Sequence, residues 1–341
     1  MKIDVLTVVG SPKNVTSVDV FDRGVGGAEL ALISWAEVMA KRGHKIRIYN
    51  QTSLTSYHIN GVEYLPDGHY NTNDDRDILV TFRGPQELAR HSNAKKRIGW
   101  SCDQYTVGDY NQWYMTSDKI ILISPFHQKD HLQRYGQIAL ERGQVIDLGV
   151  RTWEYVPVEK TPYSFIFCSV PDRGLMELAN LWPEITNTFP QATLTITSDY
   201  TLWGANAPLN MQYRMRLAGM PGVNFLGNIP REDLVKEQSR AEVNLYPCIY
   251  DENFCIAIAE CQVAGVYCIT TNQGALATTN FTGAIFPPGP GNRISYLDTL
   301  QSFFNQPFSL RTMLSKEITK RAIARFDWDK IAEQWEQVFN E

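Results

Sequence analysis

The sequence predicts an α/β protein of two domains, each an open parallel sheet covered by helices on both faces. Three observations predict it. Short apolar runs alternate with amphipathic stretches along the chain, and that pattern restarts after an aperiodic stretch at 151–162 that carries two prolines. The chain has 341 residues, more than a single core of ordinary size takes up and about right for two domains. Hydrophobic residues make up 43% and charged residues 20%, which is a globular balance rather than a disordered or membrane one.

In the first half, strands are expected at 3–9, 45–49, 77–82, 97–101, 119–123 and 145–148. The clearest helix runs over 28–42 and stops at Gly43, since glycine accepts the left-handed conformation that ends a helix. Strand and helix in alternation give a parallel sheet with both faces covered. A new first strand is expected at 163–169. A helix at 174–189 follows, then strands at 193–197, 223–226, 243–246 and 267–270. The tail reads as helix over 310–341 with a break at Phe326-Asp327-Trp328. Open sheets of this kind bind ligands at the carboxyl ends of their strands, so two of them facing each other make a cleft for a ligand with two unlike ends.

Composition excludes several classes. A net charge of −5 argues against a general nucleic-acid binder, and Lys95-Lys96-Arg97 reads as a solvated strand edge. No apolar run is long enough to cross a bilayer. The run 1–10 carries Asp4 and lacks a small-residue cleavage site, so it reads as a first strand rather than a signal peptide, and a cytoplasmic location is expected. Cysteines stand at 102, 168, 248, 255, 261 and 268 with no C-x-x-C pair, so reduced thiols in a reducing compartment are expected.

The segment Glu252-Asn253-Phe254-Cys255-Ile256-Ala257-Ile258-Ala259-Glu260 follows the apolar run 243–246 and opens an apolar helix ending near Gly265. Glu252 stands on the loop at the strand's carboxyl end. Glu260 stands two turns into the helix, roughly 12 Å along at 1.5 Å per residue and back on nearly the same face. The helix N-terminus between them offers free N–H groups and a positive dipole end, a natural diphosphate site. Hydroxyl acceptor, anion cradle and second hydroxyl acceptor thus follow in the order that a nucleotide sugar needs. A carboxylate in the apolar helix is costly unless it is paired or bound, whereas Glu252 alone reads equally well as a surface residue.

Three further stretches carry chemistry. Ser169-Val170-Pro171-Asp172-Arg173-Gly174-Leu175 links the restarted strand to its helix; Arg173 can grip phosphate oxygens with two donors, or simply pair with Asp172. Gly24-Val25-Gly26-Gly27-Ala28-Glu29 opens the 28–42 helix, which ends in Arg42-Gly43-His44; such glycines allow close backbone approach to a ligand, or merely form a tight turn. Trp100-Ser101-Cys102-Asp103 follows a strand, and Asp103 can orient a hydroxyl or cap a turn. Arg83 also stands at a strand's carboxyl end and is a lesser candidate. Two D-x-D matches, at 75–77 and 327–329, are not read as metal sites, and His127 with His131 reads as part of a solvated helix.

Together these motifs resemble the retaining GT-B glycosyltransferases of glycosyltransferase family 4, from Gly26 to Trp328. The resemblance implies two Rossmann-like domains facing across a cleft: 1–152 on the acceptor side, with 327–341 returning to it, and 153–326 for the nucleotide-sugar donor. It implies that Glu252 contacts the transferred sugar and Glu260 the ribose, that the amides of Phe254, Cys255 and Ile256 face sugar and phosphates, and that Arg173 neutralises the diphosphate. Gly26 and Gly27 would lie near the donor phosphates, and Asp103 near the acceptor. Cys102 takes the place of the family's usual histidine, and no second basic residue precedes Arg173. The implied activity is metal-independent transfer of a sugar, with retention and without any cofactor, from a nucleotide sugar to a polar acceptor such as a glycan. The alternatives are a nucleotide-sugar epimerase of the same fold and a non-catalytic nucleotide-sugar binding protein.

Overall fold

The apolar runs of the first half become one eight-stranded sheet in a computed structural model, which describes residues 1–7, 14–22, 24–203 and 208–341. The strands are β1 Lys2–Thr7, β2 Lys45–Gln51, β3 Tyr57–Ile59, β4 Val62–Pro66, β5 Ile78–Phe82, β6 Lys96–Ser101, β7 Lys119–Leu122 and β8 Gly143–Val145, in the order β3-β4-β2-β1-β5-β6-β7-β8. Every residue of β5 is buried, as befits a central parallel strand covered on both faces. Residues 8 and 9 of the strand expected at 3–9 lie outside the described residues.

Two features differ from the sequence reading. The stretch 52–70, where no strand is expected from sequence, contains the antiparallel hairpin β3–β4. Its turn is Asn60-Gly61 with φ of 52° and 81°, the two-residue turn whose twist matches that of its flanking strands. That Asn-Gly dipeptide is a strong hairpin signal, but polar side chains around it masked the short strands. The last strand also comes earlier than 145–148, at Gly143–Val145, because Gly143 lets the backbone pass within 2.1 Å, measured from where a methyl would stand, of the Ala139 carbonyl oxygen.

By contact density the chain divides into two units, one of Met1–Asp19, Ala28–Gly149 and Trp328–Glu341, the other of Val20–Gly27 and Val150–Asp327. In this division Gly149 and Val150 fall in different units, and the stretch Val20–Gly27 groups with the second unit. The tail is two helices, Phe308–Phe326 and Trp328–Asn340, separated at Asp327, whose extended backbone turns the chain. The last helix buries Trp328, Ile331, Ala332, Trp335, Val338 and Phe339, the spacing of one helical face. Trp335 packs 5.1 Å from Trp35 and 4.9 Å from Trp100, ring centre to ring centre. Gly149 leaves room for the Trp328 indole, which a methyl there would meet at 2.3 Å. Arg42 and His44 grip the same helix: Arg42 donates from Nε and Nη2 to the two oxygens of Glu336 at 3.0 and 2.7 Å, and His44 Nε2 lies 3.0 Å from Oε1.

The second unit holds β9 Ser164–Phe167, β10 Thr193–Ile196, β11 Val223–Phe225, β12 Val243–Tyr246, β13 Tyr267–Thr271 and β14 Ala284–Phe286, all parallel, in the order β11-β10-β9-β12-β13-β14. The edge strand β14 was not expected from sequence: it has three residues, none of them fully buried, and so carries no apolar run. The core beneath the sheet is Phe165, Phe167, Trp182, Leu194, Leu245 and Ile258 with their neighbours. No described helix is long and apolar enough to cross a membrane.

The grip on Glu336 has a pH signature. Hydrogen bonds from Arg42, then from His44, hold its carboxyl down at about 2 from an ordinary 4.5. A depressed carboxylate stabilises the fold above its unfolded value and loses that contribution as pH falls through the folded one. The side chain is 27% exposed, so solvent screens the pair and the gain is about 1 kcal/mol. Glu336→Gln is therefore expected to lower urea stability by that amount at pH 7, with the gap to wild type closing between pH 5 and pH 2. A gap independent of pH would contradict this.

Candidate active site

In an open parallel sheet the ligand crevice forms where strand order reverses, outside the carboxyl ends of the strands. In the second unit that place is between β9 and β12: the chain leaves β9 for β10 and β11 on one side, then crosses to β12 on the other. Arg173 and Glu252 stand there. After β9 the chain makes a short turn, Pro171–Arg173, and enters the helix Leu175–Thr188 through Gly174. Gly174 has φ +104°, and a methyl on it would lie 2.7 Å from the Pro247 carbonyl oxygen, so a side chain is refused twice over. This aims the Arg173 guanidinium at three groups. Nη1 lies 2.9 Å from Asp172 Oδ2, Nε lies 3.4 Å from Glu252 Oε1, and the Tyr250 ring centre is 3.5 Å away. The Asp172 pairing and the contact with Glu252 thus coexist.

Glu252 is held from three sides. The Tyr246 hydroxyl donates to Oε1 at 2.9 Å and lies 3.0 Å from Ser169 Oγ. Gly274, at φ +58°, brings its backbone so close that a methyl would stand 2.4 Å from the Glu252 carbonyl oxygen, and the Ala275 amide donates to that oxygen at 2.7 Å. Burial pushes the Glu252 carboxyl above its ordinary value, more than Arg173, Tyr246 and Cys255 pull it down.

The helix that follows is Ile256–Val263, and its start is strained. Cys255, its N-cap, has φ +71° and ψ 77°. A non-glycine residue held there costs of order 1–3 kcal/mol and recurs at functional sites. The helical count from Glu252 to Glu260 therefore does not run unbroken, and only Glu260 is on the helix. The first N–H groups of that helix have no acceptor within it. Against the same end lies the glycine-rich stretch: a methyl on Gly27 would be 2.9 Å from Ile256 Cγ2, and one on Gly24 would be 3.3 Å from Asn228 Oδ1. The structure thus brings Gly27 and Ile256 together, with Gly26 preceding the one and Phe254 and Cys255 the other in sequence, and separately joins Arg173 to Glu252.

Glu260 belongs to a different set of contacts. It is buried, its Oε1 is 2.7 Å from Arg231 Nη1, and its Oε2 accepts from Gln238 Nε2 at 3.3 Å. The same Arg231 donates from Nε to Glu154 at 2.7 Å. Arg231 and Gln238 were missed from sequence. One signal was available: Arg231 is the first residue of its helix, where the dipole disfavours a cation unless a carboxylate meets it.

In the first unit the strand order reverses between β1 and β5. Arg83, just after β5, has φ +73° and is braced by two carboxylates, Nε to Asp103 Oδ2 at 2.6 Å and Nη1 to Glu29 Oε1 at 2.7 Å. Arg83, Asp103 and Glu29 therefore form one cluster. Cys102, in the place expected for a histidine, is buried, and burial pushes its thiol well above the ordinary value. The nearby histidines are not solvated as read from sequence. His127 and His131 are fully buried in the helix Pro125–Tyr135; His127 Nε2 meets the Asp103 carbonyl oxygen at 3.0 Å, and His131 Nδ1 meets the Tyr114 hydroxyl at 2.7 Å. Polar partners reached across the unit outweighed the polar look of the segment. Burial lowers their values to about 4 and about 2.

Residues 171–321 match the model of the family described as glycosyl transferases group 1, a span that begins at the Arg173 turn and takes in both motif glutamates. The chain is a glycosyltransferase. No curated protein sequence matches it. Among solved structures it resembles the sucrose-phosphate synthase of Thermosynechococcus elongatus (TM-score 0.74, 16% identity, 100% of this chain and 98% of that one). It also resembles Anabaena Alr3699/HepE in complex with UDP and glucose (0.70, 16%, 100% and 99%) and the catalytic domain of starch synthase IV of Arabidopsis thaliana bound to ADP and acarbose (0.73, 10%, 99% and 98%). At these identities the likeness is one of fold, and that fold is GT-B with two Rossmann-like parallel sheets.

The turn that presents Arg173 is testable through its glycine. Gly174→Ala is expected to lower the glycosyltransferase's urea stability by about 1–3 kcal/mol, from left-handed strain and the clash with Pro247. Gly291→Ala, where a methyl meets nothing within 4 Å, is expected to be near neutral. Equal stability of the two variants would contradict the assignment.

Proposed function

We propose that the chain is a retaining, metal-independent glycosyltransferase of family 4 type that moves a sugar from a nucleoside diphosphate sugar to a hydroxyl of a polar acceptor such as a glycan. The observation that carries this reading is the Arg173–Glu252 pair at the switch point of the second sheet, next to a helix N-terminus. When the bond from the anomeric carbon to the phosphate oxygen breaks, charge grows on the leaving diphosphate. Arg173 and the amides of Phe254, Cys255 and Ile256 then favour the transition state over the ground state, the part that a divalent metal plays elsewhere. Glu252 accepts from a sugar hydroxyl. The acceptor oxygen bonds to the anomeric carbon on the face the diphosphate leaves, and its proton passes to the leaving phosphate oxygen. Glu260 takes the ribose hydroxyls. UDP-sugars are the first donors to try, because the Anabaena protein was solved with UDP and glucose.

Asp103 would orient the acceptor hydroxyl. Arg83 is shared by Asp103 and Glu29, which leaves the cluster one net negative charge and suits neutral hydroxyls better than an acceptor bearing phosphate. The described cysteines are all free thiols, with Cys168 and Cys261 sulfurs hydrogen-bonded at 3.6 Å rather than joined in a disulfide, which fits work in the cytoplasm.

The test is thermal stability against nucleoside diphosphates and nucleotide sugars with EDTA present, followed by nucleoside diphosphate release with and without acceptor. A ligand at 100 times its Kd adds about 2.7 kcal/mol. One nucleoside diphosphate is expected to stabilise the protein without metal, Arg173→Ala and Glu260→Ala to abolish that shift, and Glu252→Gln to cut turnover by about 10²-fold or more. Full turnover in Glu252→Gln, or a shift seen only with a divalent cation, would overturn the reading. Release that ignores the acceptor, or binding without turnover, would favour the epimerase or the binding protein.

A further inference from the structure

Glu260 sits in a buried charge cluster whose other members, Arg231, Glu154 and Gln238, take no part in the steps above. The Glu260 and Arg231 side chains are each 5% exposed and Glu154 is 13% exposed. Arg231 bridges the two carboxylates, donating from Nη1 to Glu260 and from Nε to Glu154, both at 2.7 Å. Its third nitrogen, Nη2, is buried with no hydrogen-bond partner. Gln238, fully buried, donates to the other Glu260 oxygen at 3.3 Å and is itself oriented by the Tyr155 hydroxyl, 2.6 Å from its Oε1.

Stability alone is a poor reason for this arrangement. Taking ions out of water costs several kcal/mol each, and well-packed apolar side chains of similar volume often serve a core as well or better. An arginine donor left without an acceptor adds a further cost. What the arrangement secures is direction. Each Glu260 oxygen is engaged by one donor, which fixes the carboxylate plane, and a carboxylate oxygen keeps a second lone pair for another hydroxyl.

On the reading that Glu260 takes the ribose, we propose that Arg231, seconded by Gln238, is a positioning residue that fixes the Glu260 carboxylate for the ribose hydroxyls of the donor nucleotide. Arg231 makes the protein selective for a ribonucleotide by holding Glu260, not by touching the nucleotide.

The experiment measures Kd by calorimetry for UDP and ADP and for their 2′-deoxy and 3′-deoxy forms, on wild type, Glu260→Ala, Arg231→Met, Arg231→Lys and Gln238→Leu. The quantity read is the ratio of deoxy to ribo Kd, which a loss of general stability does not move. Wild type is expected to favour the ribo form about tenfold or more, the size of one well-made hydrogen bond to a charged group. Glu260→Ala and Arg231→Met are each expected to bring the ratio near one, with the double variant no lower than either. Arg231→Lys should restore part of it, and Gln238→Leu should lose part. Should Arg231→Met fail to fold, Arg231→Lys and Gln238→Leu still decide the matter. A wild-type ratio in those variants, with Glu260→Ala at one, overturns the role of Arg231 and leaves that of Glu260 standing. A ratio of one in wild type, or an unchanged ratio in Glu260→Ala, overturns both.

Discussion

Two carboxylates eight residues apart, Glu260 buried and Glu252 largely so, stand in the second unit, and each is met by one arginine from elsewhere in the chain: Glu252 by Arg173 from the turn after β9, Glu260 by Arg231 from the helix after β11. A carboxylate taken out of water without a partner is so unfavourable that the segment could not keep this shape alone. The motif is therefore not a local structure that happens to carry two acids. It is folded into place by pairing with two other crossovers of the same sheet, and the sheet order β11-β10-β9-β12 is what lets those crossovers reach it. Deleting one arginine leaves the other charge buried and unmatched, a loss of about 3–5 kcal/mol in such settings. A binding role at these positions would thus be tied to stability, and only selectivity ratios or conservative variants separate the two.

Left-handed backbone recurs around the same place. Gly174 at φ +104°, Cys255 at +71° and Gly274 at +58° are all left-handed, and all border the Arg173–Glu252 pair or the helix start beside it. At the two glycines the reason is close approach, to Pro247 in one case and to Glu252 in the other. Cys255 has no such freedom and holds its conformation because the chain on both sides is anchored. The first unit repeats the device with Arg83, left-handed where its own sheet reverses, its amide bound to the Trp100 carbonyl and its carbonyl accepting from Thr106 and Tyr110. In both units a strained residue at a switch point presents a charged cluster.

The sequence made the strand–helix alternation, the restart after 162 and the Glu252–Glu260 segment legible, because each is a contiguous pattern. What it hid was long-range. Arg231 meets Glu260 across 29 residues, and Arg83 meets Glu29 across 54. His127 and His131 looked solvated because their own helix is polar, while the partners that bury them lie on other elements. The hairpin at Asn60-Gly61 was legible in principle, and was passed over because its strands span only three and five residues.

The first unit's cluster also differs in kind from one built on an imidazole. Cys102 stands where the resemblance expects a histidine, and burial keeps its thiol neutral at any ordinary pH. His127 has its Nε2 committed to the Asp103 carbonyl, and burial lowers its value to about 4. A thiol raised by burial and a ring lowered by burial, with its Nε2 already engaged, are both poorly suited to serve as a base. Burial likewise raises Glu29 above its ordinary value despite Arg83, and its carboxyl is spent on that pair. That leaves orientation as what the cluster could contribute, in keeping with the proposal that the acceptor's proton passes to the leaving phosphate oxygen. A guanidinium braced by two carboxylates is well suited to orientation, because its planar fork fixes both acids at once and does not titrate.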